Sequence, residues 1–281
     1  MANSMDGQNT ILSVVGPLAT TASSLRLVIK ALLSQEPWLH DPLVHEIPWR
    51  DDHEREILSI INPSSENESV GKLCFGLMRT DGIVTPTPPI LRAMDTVVAA
   101  LRSQGHEVIP WVPPSHRSIL DTAFKSWVFD AGADVKSAFA LSGEPMLPQV
   151  ASFDSLTKHY TAAEIAEVNV RIRQLRKEYL AYWNSTSKES KSGRPVDAVI
   201  CPLAPWPAAR REMYKYYGYS TWVNALDLTS VAVPITEVDG EVDKKDKGFN
   251  PIDERDRECN EDCELPVYSL KEDCIHSRRS V

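Results

Sequence analysis

Apolar residues three and four positions apart predict helices at several places along the chain. The first stripe begins after Thr21 or Ser23, which are available as N-caps, and consists of Leu25, Val28, Ile29, Leu32 and Leu33. A proline-rich stretch, which is incompatible with regular structure, follows it. A short charged helix is then predicted over residues 51–61.

A strand, a helix and a second strand are predicted between Lys72 and Val112. Residues 73–78 form an apolar run typical of a buried strand, and residues 106–111 form another. Between them lies a helical stripe that ends near Gly105, where a helix stop is expected. This order predicts a β-α-β unit with two parallel strands.

The remaining pattern predicts two long helices and two further strands. The helices are expected over residues 118–141 and 162–183, and the strands over residues 196–201 and 231–235. Alternation of strands and helices indicates an α/β fold. From residue 237 onward acidic residues dominate, so the chain is divided into a folded portion, 1–236, and an acidic, disordered tail, 237–281.

Charge and cysteine usage exclude several classes of partner and location. The 281-residue chain has a formal charge of −9 and a pI near 5.3, which argues against nucleic-acid or anionic-membrane partners. The first apolar run, residues 11–15, is too short to span a membrane. The five cysteines are split between apolar runs and the polar tail, which favours a reduced, cytoplasmic protein.

No catalytic residue is predicted from local patterns. Ser13 lies near Gly16 and could be proposed as a nucleophile, but its apolar neighbours favour a structural position, and no glycine precedes it as in a nucleophile elbow. His40, His45 and His106 have no serine or cysteine that the sequence pairs with them.

The tail contains four potential metal ligands, which we interpret as binding no metal: Cys259, Cys263, Cys274 and His276. Their spacing is unlike that of zinc sites, and no predicted strand or turn supports them. Free thiols are therefore favoured over a metal centre. No metal and no cofactor is predicted. A group of aromatic residues is open to two interpretations, core packing or a substrate pocket: Trp206, Tyr214, Tyr216, Tyr217, Tyr219 and Trp222.

Taken in order, four segments resemble the C-terminal half of fungal acetamidase-type enzymes of the amidase signature family. They are Asp6-Gly7-Gln8-Asn9 with Ser13-Val14-Val15-Gly16-Pro17; Glu36-Pro37-Trp38 with Pro48-Trp49-Arg50; Arg79-Thr80-Asp81-Gly82 with Pro88-Pro89 and Gly105-His106-Glu107-Val108; and Asp197-Ala198-Val199-Ile200-Cys201-Pro202. The resemblance implies a mixed β-sheet flanked by helices, incomplete at both ends. It also implies hydrolysis of small carboxamides by a serine nucleophile, a second serine and a lysine.

The chain departs from that family where the chemistry is expected. The nucleophile loop of the family contains paired glycines, whereas none of the 12 glycines here is adjacent to another. The catalytic serines and lysine precede the segment that matches Asp6, so they have no counterpart in these residues. Two functions therefore stay open: an amidase known here as a fragment that lacks its Ser-Ser-Lys residues, or a non-catalytic remnant or interaction module.

The resemblance also supplies the predicted binding residues. The loop after the strand at residues 196–201 and the segment through Asn224 lie near the substrate cleft in amidases, and the resemblance favours the pocket interpretation of the aromatic group. The predicted substrate-binding residues are Cys201, Pro202, Trp206 and Asn224. The expected partner is a small-molecule amide, if the missing N-terminal half completes the site. The oligomeric state is left open.

Overall fold

The computed structural model describes residues 7–61, 72–209, 214–246 and 248–261. These residues divide into two compact units, one within Leu12–Lys72 and the other formed by Gly7–Ile11 with the residues from Leu73 onward. The described elements, in chain order, are α1 (Ala22–Leu33), α2 (Asp51–Ile61), β1 (Cys74–Leu77), α3 (Pro88–Ser103), β2 (Glu107–Pro110), α4 (His116–Trp127), α5 (Ala133–Ser142), α6 (Ala162–Ser185), β3 (Ala198–Ile200), α7 (Gly218–Leu226) and α8 (Glu254–Glu261).

The first unit consists of α1, α2 and the proline-rich connection between them. Both helices were predicted and are confirmed, and Thr21 caps α1 by accepting a hydrogen bond from the Ser24 amide at 3.1 Å. Lys30 Nζ lies 2.7 Å from Asp51 Oδ1, which joins the two helices. Neither helix contains a buried residue. Surface ion pairs of this kind contribute little stability, typically about 0.2–1 kcal/mol.

The second unit contains a three-stranded sheet with the order β2-β1-β3. All described pairings are parallel, and Gly76 lies opposite Ile109 on one side and Val199 on the other. The predicted β-α-β unit is therefore confirmed: its two strands are neighbours in one sheet, and α3 connects them. The α/β fold class is confirmed with it.

Helices α4, α6 and α7 pack together, and α6 follows the predicted stripe closely. A capping box begins α6, with the Thr161 hydroxyl and the Glu164 carboxylate each accepting a backbone amide of the other residue. Its buried positions are Val168, Ile172, Leu175 and Tyr179. A spacing of three and four residues places these side chains on one face of the helix, and that face packs into the core.

The helix predicted over residues 118–141 is wrong in one respect, because it is two helices. The chain leaves the right-handed helical region at Ala131 and Gly132, where φ is 57° and 72°. The next helix begins at Ala133, and Asp130 stabilises its start, because the Asp130 carboxylate accepts hydrogen bonds from the amides of Gly132 at 2.8 Å and Asp134 at 2.9 Å. The break between α4 and α5 is therefore stabilised by the Asp130 side chain, which the spacing of apolar residues does not reveal.

Two expectations for the last third of the chain also differ from the structure. Residues 231–235 form no strand and are exposed. Part of the tail predicted to be solvated is ordered, since Asp243 and Asp256 are 3% and 0% exposed and α8 includes Asp256. Residues 62–71 and 262–281 lie outside the described residues. Among the described helices, none is both long and apolar enough to cross a membrane.

Candidate functional site

The carboxyl edge of the parallel sheet brings two loops of the second unit together. The loop after β1 contains residues 79–87, and the loop after β3 contains residues 201–209. Thr87 joins them, because its amide and its hydroxyl donate to the Pro205 carbonyl at 2.8 and 2.9 Å. Ligands of open α/β sheets bind in the crevice at this edge, so it is the candidate functional site.

Three of the four predicted binding residues lie in the loop after β3. Cys201 is half-buried directly after the strand, Pro202 is buried, and Trp206 is 5% exposed. The fourth, Asn224, lies on α7 and is exposed. Cys201 and Trp206 share one apolar core, whereas the Asn224 side chain is not part of it. Their joint role in binding stays a prediction.

Burial determines the chemistry available to Cys201 and Trp206. Desolvation raises the pKa of the Cys201 thiol to about 11, so the sulfur is protonated at neutral pH and is not a nucleophile. The Trp206 indole nitrogen is buried, and its N–H finds no acceptor among the described residues. A buried donor without a partner costs about 1–3 kcal/mol, which makes Trp206 the most informative of the predicted residues.

The aromatic group divides between the two interpretations that the sequence leaves open. Tyr216, Tyr219 and Trp222 are 2–4% exposed and belong to the core. In contrast, Tyr217 is 45% exposed, and the Tyr214 ring lies between it and Trp206, at centroid distances of 4.9 and 5.7 Å. Core packing therefore accounts for four of the six rings, Trp206 among them, while Trp206, Tyr214 and Tyr217 form a row that extends from the interior to the surface.

A buried aspartate shapes the loop after β1, and the sequence analysis assigned it no role. One oxygen of Asp81 accepts the amides of Ile83 and Val84 at 2.9 and 3.1 Å, while the Tyr216 hydroxyl donates to the other. The Tyr219 hydroxyl donates to the Val84 carbonyl at 2.6 Å. Burial raises the pKa of Asp81, although the Tyr216 hydrogen bond opposes this shift. Tyr216 and Tyr219 lie 135 residues from their partners in this loop, so the sequence alone does not reveal these contacts.

A second buried carboxylate holds the next residues of the same loop. Asp256 accepts the Thr85 amide at 2.7 Å, the Thr85 hydroxyl at 3.0 Å and the Ile252 amide at 2.9 Å. Asn260 also donates to it, at 3.1 Å. The acidic segment predicted as a solvated tail thus supplies a structural partner to the candidate site, because the Asp256 carboxylate satisfies the Thr85 amide, 171 residues away in sequence.

None of the histidines in the described residues forms a hydrogen bond with a serine or a cysteine. His106 Nδ1 accepts the Leu73 amide at 3.3 Å, which is a structural role. His116, which the sequence analysis did not single out, is 4% exposed, and its Nε2 lies 3.3 Å from the Tyr179 hydroxyl. Burial lowers the pKa of His116 to about 4. His40 and His45 belong to the first unit and are exposed.

The described residues contain no cluster of side chains suited to hold a metal ion. Cys259 is buried on α8. The other members of the tail set considered from the sequence, Cys263, Cys274 and His276, lie outside the described residues.

Comparison with known proteins identifies the family. The Amidase family model matches residues 2–267. Acetamidases from Emericella nidulans and Aspergillus oryzae are 38% and 36% identical, each over 95% of this chain and over 47% and 48% of their own length. The solved structure of a fatty acid amide hydrolase superimposes with a TM-score of 0.74 over 92% of this chain and 43% of that protein, at 24% identity, which supports the fold. The chain thus spans about half the length of the curated relatives it matches, and it belongs to the amidase family.

Proposed function

We propose that these residues form the substrate-side portion of an amidase that converts small carboxamides into a carboxylate and ammonia. The observation that carries the proposal is the 38% identity to an acetamidase, maintained over 95% of the chain. The candidate site supports it, because a row of aromatic rings at the carboxyl edge of the sheet offers an apolar wall with one unpaired donor, the Trp206 indole N–H. Apolar walls with few polar groups are typical of small-molecule sites.

In this proposal the catalytic serines and lysine belong to amidase sequence beyond these 281 residues. An amide is a poor electrophile, so its hydrolysis requires an activated nucleophile, donors for the oxyanion and a proton for the departing nitrogen. The described residues offer no histidine paired with a serine or cysteine, and the buried Cys201 thiol is protonated. We therefore assign Cys201, Pro202, Trp206 and Asn224 to binding and no residue of the chain to bond cleavage.

The second candidate function is a non-catalytic interaction module derived from an amidase. It is favoured by the same observation, namely that none of the histidines in the described residues forms a hydrogen bond with a serine or a cysteine. In that case the fold and the aromatic row would be retained without turnover. The two candidates differ in one property, whether this sequence supports hydrolysis when it is joined to amidase catalytic residues.

A chimera tests the proposal. The chain replaces the matching portion of the Emericella nidulans acetamidase, and ammonia release from acetamide is measured alongside the circular dichroism spectrum. We expect a folded chimera to release ammonia, and Trp206→Phe, which removes the donor but keeps an aromatic ring, to raise KM more than it lowers kcat. Tyr160→Phe, at a half-buried tyrosine outside the two loops, serves as the matched control. A folded but inactive chimera would contradict the proposal and favour the interaction module.

A further inference from the structure

A pocket within the second unit is lined by residues of α4, of α6 and of the segment Gly7–Ile11. It contains about 300 Å³ of empty space, part of which is open to solvent. This volume is at the lower end of the range for small-molecule sites, so the pocket suits a ligand of a few non-hydrogen atoms. None of the residues that line it belongs to the two loops at the carboxyl edge of the sheet.

One residue that lines this pocket has a buried hydroxyl group without a partner. Ser126 of α4 is 5% exposed, and its Oγ forms no hydrogen bond with any described residue. The large majority of buried side-chain polar atoms in native structures are hydrogen-bonded, so this hydroxyl group calls for an explanation. A ligand that accepts a hydrogen bond in the pocket would supply the missing partner.

Two further donors line the same pocket. Lys125, next to Ser126 on α4, has an ammonium group that forms no ion pair with a described carboxylate. Asn169 of α6 has an amide whose Oδ1 accepts the Thr10 hydroxyl at 2.6 Å, which leaves Nδ2 as the donor end of that amide. No carboxylate is among the described residues that line the pocket. Lys125, Ser126 and Asn169 together therefore offer three donor groups and one positive charge.

The segment that orients Asn169 is held firmly. Gln8 Oε1 accepts the amides of Thr10 and Ile11, both at 2.6 Å, and Arg176 of α6 donates to the Thr10 carbonyl at 2.9 Å. Thr10 is thus fixed from two sides, and its hydroxyl in turn fixes the Asn169 amide. Groups that are oriented before a ligand arrives lose less entropy when it binds.

The pocket also has an apolar wall. Phe129, Ile165 and Val168 line it, and all three are buried or half-buried. A ligand that matches the whole pocket therefore combines an anionic acceptor group with a short apolar part. An ionised aliphatic acid has both, whereas a neutral amide lacks the charge and an inorganic anion lacks the apolar part.

We infer that this pocket binds a short-chain aliphatic carboxylate, whose oxygens accept hydrogen bonds from Lys125, Ser126 and Asn169. Hydrogen bonds to an ionised acceptor are about twice as strong as those between neutral groups, which favours the acid over its amide. The proposed function gives such a ligand a source, because amide hydrolysis releases a carboxylate. Only that source rests on the proposed function, and the binding itself does not.

The test is a titration of the purified chain with sodium propionate, followed by NMR of isoleucine and valine methyl groups. We expect the Ile165 and Val168 methyl signals to shift and to saturate, with a dissociation constant on the order of 1 mM. Propionamide, which has nearly the same shape without the charge, is expected to bind about tenfold more weakly. Sodium chloride and sodium phosphate at the same ionic strength are expected to leave these signals in place.

Three variants assign the binding to the named groups. Lys125→Gln is expected to weaken propionate binding about tenfold, and Ser126→Ala about fivefold. Ser126→Ala is not expected to lower the Tm, because it removes a buried hydroxyl that has no partner in the described residues, and this separates a binding role from a structural one. Lys177→Gln, at an exposed lysine of α6 outside the pocket, is the matched control and should leave binding within about twofold.

Any of four results obtained with a folded chain would overturn the inference. They are the absence of a saturable shift, equal shifts with propionamide or with the inorganic anions, equal affinities of Lys125→Gln and Lys177→Gln, and unchanged affinity of Ser126→Ala. Ammonia release by the acetamidase chimera is a separate measurement. An inactive chimera contradicts the proposed function and leaves the carboxylate site established, whereas an active chimera does not rescue a pocket that fails to bind propionate.

Discussion

Replacing Gly76 with alanine is expected to destabilise the sheet, because the central strand has no room for a methyl group there. A Cβ atom at this position would lie 2.5 Å from Cε3 and 3.1 Å from Cδ2 of Trp111. A separation below 3.0 Å requires the indole to move. Trp111 is 3% exposed, and its Nε1 donates to the Tyr179 hydroxyl at 3.0 Å, so movement of the ring disrupts a packed group as well as a hydrogen bond.

The magnitude follows from two opposed effects. Overpacking of a core typically costs about 1–3 kcal/mol, and loss of the indole hydrogen bond would add about 1 kcal/mol. Alanine lowers the entropy of the unfolded chain relative to glycine, which offsets about 0.4–1 kcal/mol. We therefore expect Gly76→Ala to lower the free energy of unfolding by roughly 1–3 kcal/mol, which corresponds to a decrease in Tm of about 2–5 °C for a chain of this length.

The assay is thermal and urea unfolding followed by circular dichroism at 222 nm. Gly16→Ala is the control, because nothing lies within 4 Å of a Cβ at that position, and we expect a change within about 0.5 kcal/mol. The single variants Gly76→Ala and Trp111→Phe and the double variant form a double-mutant cycle. We expect the double variant to lose less stability than the sum of the two single variants, because the smaller ring relieves the clash. A Tm of Gly76→Ala within 1 °C of the wild type, or strictly additive effects in the cycle, would refute the reasoning.

Three further predictions concern buried groups. The pKa of His116 falls from 6.5 to about 4 on folding, so its contribution to stability is complete above pH 6.5 and is lost as the pH falls toward 4. Between pH 7.5 and pH 5, the free energy of unfolding in urea should therefore decrease by about 2 kcal/mol more for the wild type than for His116→Phe. Equal decreases in the two proteins would contradict this. Asp256→Asn should lower the free energy of unfolding by on the order of 2–4 kcal/mol, because the amide nitrogen cannot accept the hydrogen bonds that backbone amides now donate to the carboxylate. The control is Asp121→Asn at an exposed position, which should change the free energy of unfolding by less than about 0.5 kcal/mol. Alkylation of Cys201 by iodoacetamide, followed by peptide mass spectrometry, should be slower than that of glutathione at pH 7.5. Its rate should still be rising at pH 10, because the pKa of the thiol is about 11, and rapid labelling at pH 7.5 would contradict its burial.

Local patterns in the sequence predict the elements whose partners are close along the chain. The β-α-β unit and α6 are confirmed because the strands are apolar runs and the helices have apolar residues three and four positions apart, patterns that are visible in the residues themselves. The pattern of apolar residues does not show the break between α4 and α5, which a single aspartate, Asp130, stabilises by accepting the amides of Gly132 and Asp134.

Distant partners account for the other differences. Composition alone makes residues 237–261 appear solvated, but Asp243 and Asp256 are buried against Arg92 and Thr85, which lie 151 and 171 residues away in sequence. The same limit applies to the candidate site, because the Tyr216 hydroxyl that bonds Asp81 lies 135 residues away in sequence. A charge count cannot reveal which carboxylates find such partners.

The most direct test of the central claim, that this chain binds but does not cleave, is labelling of the purified chain by a serine-directed fluorophosphonate together with ammonia release from acetamide. The account predicts no stoichiometric labelling and no ammonia release above a Ser13→Ala control, because loss of the nucleophile alone costs a serine hydrolase on the order of a million-fold in turnover. Stoichiometric labelling at Ser13 or any other serine, accompanied by turnover, would contradict it and would place a catalytic nucleophile within these residues.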